Sequence, residues 1–332
     1  MQNALSPIVI RSTGYFLPER VLTNDDLSKI VETSDEWIAE RTGIRERRIC
    51  ADDETTSDMA YGAALDALKN ANLKPEDIDL LIVATITPDF KTPSVACILQ
   101  ERLGLRNVPA FDISAACSGF VYCLEICGQL MRGGVYRNAL IIGAEKLTSV
   151  TDWTDRTTCV LFGDAAGACV LSKTDTPGVG LIGNILGSDG SHPDILNIPG
   201  GGSRLPLTKE NIDDKTQYIK MNGREVFKLA VRVMEDVARK LLERHGLTTQ
   251  DINLVIPHQA NTRIIEALTK RLEIPNERVM LNIEKLGNNS SASIPVALAQ
   301  ANEQGRLKKG DYLLLLAFGA GLTWGASLIK WN

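Results

Sequence analysis

Two copies of one helix-and-strand unit, joined into an α/β protein, are what this 332-residue sequence predicts, on three observations. In the first half Ala60, Ala63, Ala64, Ala67 and Leu68 share one helical face, and Asp77-Ile-Asp-Leu-Leu-Ile-Val83 follows as an apolar strand. The same order returns 174 residues later, with Met234, Val237, Ala238, Leu241 and Leu242 and then Asp251-Ile-Asn-Leu-Val-Ile-Pro257. The likeness runs on through Leu99, Arg102 and Leu103, answered by Leu268, Arg271 and Leu272, and through Asp112-Ile-Ser and Asn282-Ile-Glu, where the offset slips to 170. Strands that are nearly all apolar are expected where helices cover both faces of largely parallel sheets.

The polar turn Lys173-Thr-Asp-Thr-Pro-Gly178 divides the halves as 1–177 and 178–332, and the lack of a low-complexity linker predicts that they pack tightly. Gly187 to Asp214, rich in Gly, Pro and Asp, is expected as a long loop over a site. Its Gly200-Gly-Gly202 is a weak phosphate signal, because no helix N-terminus follows. A hydrophobic fraction of 44% suffices for a large core, and a net charge of -5 with a pI of 5.4 gives no reason for broad nucleic-acid binding. The most apolar run, Tyr312–Phe318, is too short to span a bilayer, and Met1–Pro7 lacks the cationic start and apolar core of a signal peptide, so a cytoplasmic protein is expected. Seven scattered cysteines without CxxC or Cys/His spacing imply neither a disulfide framework nor a metal.

One cysteine stands apart. In Asp112-Ile-Ser-Ala-Ala-Cys-Ser-Gly-Phe120 a strand gives way to a helix that Phe120, Val121, Leu124, Ile126 and Leu130 mark as buried, so Cys117 falls at a helix N-terminus. The dipole and free N–H groups there favour the nucleophilic thiolate. With an offset of 171, Cys117 matches Asn288 in the second half, and turns related by an approximate twofold axis can face one cavity. Cys123 and Cys127 are expected in the core. Of three histidines, His245 fits a helix C-terminal turn and His192 a solvated loop, whereas His258 ends an apolar strand, where α/β folds place ligand-facing groups. Cys117, His258 and Asn288 suit either a thiol hydrolase, with His as base and Asn orienting it, or a carbon–carbon condensing enzyme, with His and Asn donating to an enolate oxygen. Their order in the chain does not choose between these, although a duplicated architecture has no place in papain-like folds.

The sequence resembles the β-ketoacyl-acyl-carrier-protein synthase III family of the thiolase superfamily. The likeness spans Ser34–Ile38, Arg41-Thr-Gly-Ile-Arg-Glu-Arg47, Asp112–Gly119, Asp152–Arg156, Phe162-Gly-Asp-Ala-Ala-Gly167, Pro257-His-Gln-Ala-Asn261, Gly287–Ser293 and Phe318-Gly-Ala-Gly-Leu-Thr-Trp-Gly325. It implies a five-layered αβαβα sandwich and a homodimer. It further implies that Cys117 is acylated by an acyl-CoA primer, that malonyl-acyl carrier protein then loses CO2, and that the carbanion condenses to a 3-ketoacyl product, initiating type II fatty-acid synthesis. No cofactor is implied, acyl-CoA being a substrate. His258 and Asn288 would hold the enolate, and the Cys117 N–H with one from Gly319–Gly321 would hold the acyl oxyanion. Asn at 288 brings no carboxylate base, which disfavours aldol-type chemistry.

By the same resemblance Trp37 and Arg156 would sandwich the adenine of CoA, Arg41 its phosphates, and Asn261 its pantetheine. Lys228, Arg263, Lys270 and Arg271 would meet the acidic carrier protein, although Glu225, Asp236, Glu243 and Glu266 dilute that patch. Phe318 would line the acyl pocket. Thr92 stands where many acetyl-primed relatives place a Phe that enters the partner subunit's pocket, so a longer channel is expected. Competing readings are a specialised ketosynthase or acyltransferase of secondary metabolism, a cysteine hydrolase, and an inactive partner subunit; intact Cys117, His258 and Asn288 count against the last.

Overall fold

The computed structural model describes residues 7–332, so the stretch read as free of a leader, residues 1–6, lies outside the described residues. Two sheets form. The first, of five strands, runs in the order Ile8–Phe16, Ala165–Lys173, Asn138–Glu145, Leu80–Ala84 and Ala110–Ile113. The second, of four, runs Leu254–Pro257, Tyr312–Gly319, Thr323–Lys330 and Gly180–Ser188.

Period-two alternation in these strands builds the layers. Leu80, Ile82 and Ala84 face the same central core as Leu313, Leu315 and Ala317 of the other sheet. Between the sheets lie the helices Gly119–Arg132 and Ser293–Glu303, which contribute Phe120, Leu124, Ile294 and Leu298 to that core. On the outer face of the first sheet Leu81 and Val83 pack on the helices Thr56–Ala71 and Val95–Arg102. On that of the second, Val255, Leu314 and Leu316 pack on Gly223–Arg244 and Thr262–Arg271. The result is five layers, helix, sheet, helix, sheet, helix. At about 1.5–3 kcal/mol for each fully buried Leu, Ile or Val side chain, these apolar strands anchor the fold. Close packing of the layers shows at Gly14, where an added Cβ would come 2.2 Å from the backbone nitrogen of Ala67.

Three expectations need correction, the first two in the strands and helices. The sheets are mixed rather than largely parallel: Leu80–Ala84 pairs in parallel with both neighbours, but Asn138–Glu145 and Ile8–Phe16 run antiparallel to Ala165–Lys173. In the second sheet the turn Ala320–Leu322 folds Thr323–Lys330 back antiparallel on Tyr312–Gly319. Helix-covered faces need apolar strands whatever their direction, so the pattern that showed burial could not show polarity. Leu130 is exposed rather than buried, since it lies on the helix face away from Phe120 and Leu124.

The duplication itself is plain. Ala116 and Ser290 both adopt the left-handed conformation, at φ 46° and 48°, and the helices after them start at Gly119 and Ser293. The counterpart of Cys117 is therefore Ser291, not Asn288. Val255 sits beside Val279 as Leu81 sits beside Ala110, and an extra helical turn, Ile283–Leu286, then restores the offset of 174. Asn288 follows that insertion.

Candidate active site

A cavity of about 950 Å³ opens between the halves, and Cys117, His258 and Asn288 all line it. Much of its wall is apolar, from Ile86, Leu147, Leu161, Phe162, Phe318 and Met234 among others. The loop expected over a site does cover it, through Pro193, Leu196, Asn197 and Ile198.

Cys117 lies in a 3-10 turn, Ala116–Ser118, that runs into the helix Gly119–Arg132. The strained left-handed φ of Ala116 sets the turn. Gly319 comes so near that a Cβ there would lie 2.7 Å from the Cys117 nitrogen, so only glycine fits. Burial at this position pushes the thiol up to about 12 against a downward pull from the Ser290 hydroxyl. Desolvation thus opposes the helix N-terminus and favours the neutral thiol, which loses its proton when it reacts.

His258 follows the strand Leu254–Pro257, and its backbone N–H donates to Leu316 O at 2.7 Å. Its Nδ1 meets Ser293 Oγ at 2.6 Å, and the Gln259 N–H donates to the same Oγ at 3.4 Å. Ser293 Oγ has no other acceptor for its hydrogen among the described residues, so it donates to Nδ1, which leaves the ring proton on Nε2. Burial holds the imidazole neutral, with its pKa lowered to about 3. Stability follows in sign: between an unfolded value near ~6.5 and the folded one, the unfolded chain binds a proton that the folded chain refuses, so stability falls as pH drops through that window. Melting temperatures measured from about pH 7 down to about pH 4 should decline less steeply for His258→Asn than for the wild type.

Asn288 is fixed at three points. Its N–H donates to Leu161 O at 2.8 Å, its carbonyl accepts the Gly163 N–H at 3.1 Å, and its Oδ1 accepts the Ser290 N–H at 2.8 Å. A backbone N–H can only donate, so the amide orientation is settled and Nδ2, with no protein acceptor among the described residues, is the group left for the cavity. Two neutral donors, Nε2–H and Nδ2–H, thus belong to residues on the same cavity as the thiol. Asn289 is held elsewhere, its Nδ2 donating to Leu286 O.

At the mouth, Ser34 caps the helix Asp35–Thr42 and Gly43 closes it at φ 77°, which carries Trp37 and Arg41 against the helix Thr262–Arg271. Arg41 and Arg156 both stack on Trp37, at 4.7 and 5.0 Å from the ring centre. Arg156 also donates to Glu32 O. A flat base between Trp37 and Arg156 would need about twice the ordinary stacking distance, so the guanidinium must swing away to admit one. Asn261 lines the cavity, but its side chain caps its own helix at the Arg263 N–H and donates to Arg41 O. Trp37, Arg41, Asn261 and Arg263 reach the cavity wall; Arg156 borders it through Trp37.

The basic residues are partly neutralised: Lys228 pairs with Glu225, Arg271 with Glu235 and Arg263 with Glu40. Lys270 makes no ion pair among the described residues. Phe318 lines the cavity, whereas Thr92 is exposed on the 88–94 loop and away from the cavity of its own chain. Sequence reasoning missed Ser293, Ser290, Glu145 and Arg224. Only Arg224, one residue into its helix and at the cavity wall, carried a signal that could have been read. No helix is long and apolar enough to cross a membrane, and no cluster suited to a metal exists among the described residues.

Comparison with known proteins agrees with this geometry. The family model described as 3-oxoacyl-[acyl-carrier-protein (ACP)] synthase III matches residues 111–190, and that of its C-terminal part matches 242–331. A β-ketoacyl-[acyl-carrier-protein] synthase III of Caldanaerobacter subterraneus is 54% identical over 97% of each chain. The crystal structure of the Aquifex aeolicus 3-oxoacyl-[acyl-carrier-protein] synthase III is 49% identical, with a TM-score of 0.90 over 98% of this chain and 100% of that one. The priming β-ketosynthase of the R1128 polyketide pathway, 35% identical, superposes with a TM-score of 0.91 over 98% of this chain and 97% of that one. With half its length matched by the family models and its relatives covered from end to end, the chain belongs to the 3-oxoacyl-[acyl-carrier-protein] synthase III family.

Proposed function

We propose that this protein condenses an acyl-CoA primer with malonyl-acyl carrier protein, releasing CoA and CO2 and leaving a 3-ketoacyl chain on the carrier. The observation that carries the reading is the pair of neutral donors, His258 Nε2–H and Asn288 Nδ2–H, on the one apolar cavity that also holds the Cys117 thiol.

Cys117 Sγ attacks the thioester carbonyl of acyl-CoA, its proton leaving with CoA as the free thiol. Malonyl thioester then enters the vacated tunnel. Loss of CO2 puts negative charge on its thioester oxygen, where the two donors stabilise it; a preorganised donor in a dry site is worth about 3–4 kcal/mol at such an oxyanion. The carbanion attacks the acyl-Cys117 carbonyl, whose oxyanion is received by the Cys117 N–H and an N–H of Gly319–Gly321. Sγ departs as the thiolate and takes up a proton from solvent, the one that the overall condensation consumes. Because His258 stays neutral, it donates without first acquiring charge, and Asn288 supplies no base to divert the carbanion chemistry.

Trp37, Arg41 and Arg156 would hold the nucleotide of CoA, and Arg224, Lys228, Arg263, Lys270 and Arg271 would present positive charge to the carrier protein. The pairing of three of these with glutamates points to modest steering rather than a strong electrostatic anchor. A homodimer would place Thr92 of one subunit at the acyl pocket of the other, with the small side chain leaving room for longer primers. The setting is the cytoplasm. Stacking on an aromatic ring is worth roughly 1–3 kcal/mol per base, so Trp37→Ala should raise KM for acyl-CoA roughly 5- to 160-fold with kcat little changed.

Incubation with acyl-CoA and malonyl-acyl carrier protein, followed by mass analysis of the carrier and measurement of released CO2, tests the function. One CO2 per 3-ketoacyl carrier supports it. Free acid without a ketoacyl product would point to a cysteine hydrolase instead.

A further inference from the structure

Behind the nucleophile lies a buried carboxyl that the reaction above does not use. Glu145 ends the strand Asn138–Glu145 and has no solvent exposure. Its Oε2 accepts from Thr85 Oγ1 at 3.2 Å, the Ile86 N–H at 3.1 Å and Thr87 Oγ1 at 2.7 Å. Thr85 Oγ1 also accepts the Thr87 N–H and Thr87 Oγ1 the Lys146 N–H, which leaves both hydroxyl hydrogens available to point at Glu145. One carboxyl oxygen thus has three donors.

The other oxygen is different. Oε1 lies 3.0 Å from Ser291 Oγ, and Ser291 Oγ lies 2.8 Å from the Ala84 carbonyl. A hydroxyl has one hydrogen, and a carbonyl cannot donate, so Ser291 cannot give a full hydrogen bond to both, and Ala84 O is the nearer acceptor. With the hydrogen on Ala84 O, a proton on Glu145 Oε1 completes the chain by donating to Ser291 Oγ. From the same turn the buried Ser290 Oγ, with no full hydrogen bond of its own, lies beside both Glu145 and Cys117.

We propose that Glu145 acts as a neutral carboxylic acid that donates to Ser291 and accepts from the Thr85–Thr87 segment. It is a positioning residue: it ties the first half to the turn Ser290–Ala292 that follows Asn288, and it keeps a buried anion from facing the Cys117 thiol. Burial raises the carboxyl from its usual range, and an ionised Glu145 would push Cys117 higher still. Cys117 is the titratable group that faces it; the segment 84–87 and the turn 290–292 present only hydroxyl and backbone groups, and no cation compensates it.

Two measurements test this. Glutamate-edited infrared spectroscopy of the wild type at neutral pH should show a protonated carboxyl band, and Glu145→Gln should remove it; its absence in a folded wild type overturns the proposal. This arm holds whatever acyl donor the enzyme uses. The second reads Cys117 alkylation against pH, and it rests on Cys117 as the reactive thiol. Wild type and Glu145→Gln should agree at neutral pH. They should part as pH rises and Glu145 ionises, the variant becoming up to about tenfold faster for each unit by which the thiol is relieved. Glu145→Gln, whose amide copies one donor and one acceptor, should also rescue activity lost in Glu145→Ala. Parallel alkylation profiles throughout, or a Gln variant no better than Ala, would contradict it.

Discussion

Replacing Cys117 with alanine should lower the condensation rate at least ~10³-fold, because removal of a covalent nucleophile leaves only binding and the oxyanion donors. The loss should be in kcat and should not recover at saturating acyl-CoA, since Trp37, Arg41 and the tunnel walls are untouched. The fold should survive. The alanine is smaller, and the neighbour that crowds the turn, Gly319, gains space rather than losing it. Far-ultraviolet circular dichroism and melting temperature close to wild type, beside the lost activity, would assign the defect to chemistry. Activity within tenfold of wild type would remove Cys117 from the mechanism.

The second large effect separates the half-reactions. His258→Ala and Asn288→Ala should each slow decarboxylative condensation ~10²- to 10³-fold, as expected for deletion of one preorganised oxyanion donor. Both should still accept the acyl group from CoA, because the enolate forms only after that transfer. Rapid-quench measurement of acyl loading, followed by a malonyl-acyl carrier protein chase, distinguishes the two steps. The double variant should lose less than the product of the single losses, since one donor without its partner already holds the oxygen poorly. If acylation were lost as severely as condensation, His258 would instead be the base for the thiol. Burial, which lowers the imidazole to about 3, disfavours that role.

Much of this was legible in the chain. Leu80–Ala84 and Tyr312–Gly319 are so uniformly apolar that their burial follows from composition, and the helical faces at Ala60 and Met234 reveal the repeat. Cys117 and His258 stand where a strand ends, which is a local signal. What was hidden depends on contacts distant in sequence. Whether Ala165–Lys173 runs with or against its neighbours is decided by a long irregular connection that carries no directional mark. The inserted turn Ile283–Leu286 disguised the true counterpart of Cys117, because its extra residues cancelled a shortening earlier in the same half. Glu145 reads as an ordinary charged strand end until Thr85, Thr87 and Ser291 close around it. Likewise the thiol's helix N-terminus was visible in sequence, but the desolvation that opposes it belongs to the assembled cavity.

The central claim is that Cys117 takes an acyl group directly from CoA. Intact-mass spectrometry after incubation with acetyl-, branched-, octanoyl- and lauroyl-CoA, with Cys117→Ala alongside, tests it most directly. A single added acyl mass on the wild type and none on the variant is the expected result, and the chain that labels best identifies the primer class. Equal labelling of Cys117→Ala, or no labelling by any chain, would contradict the account.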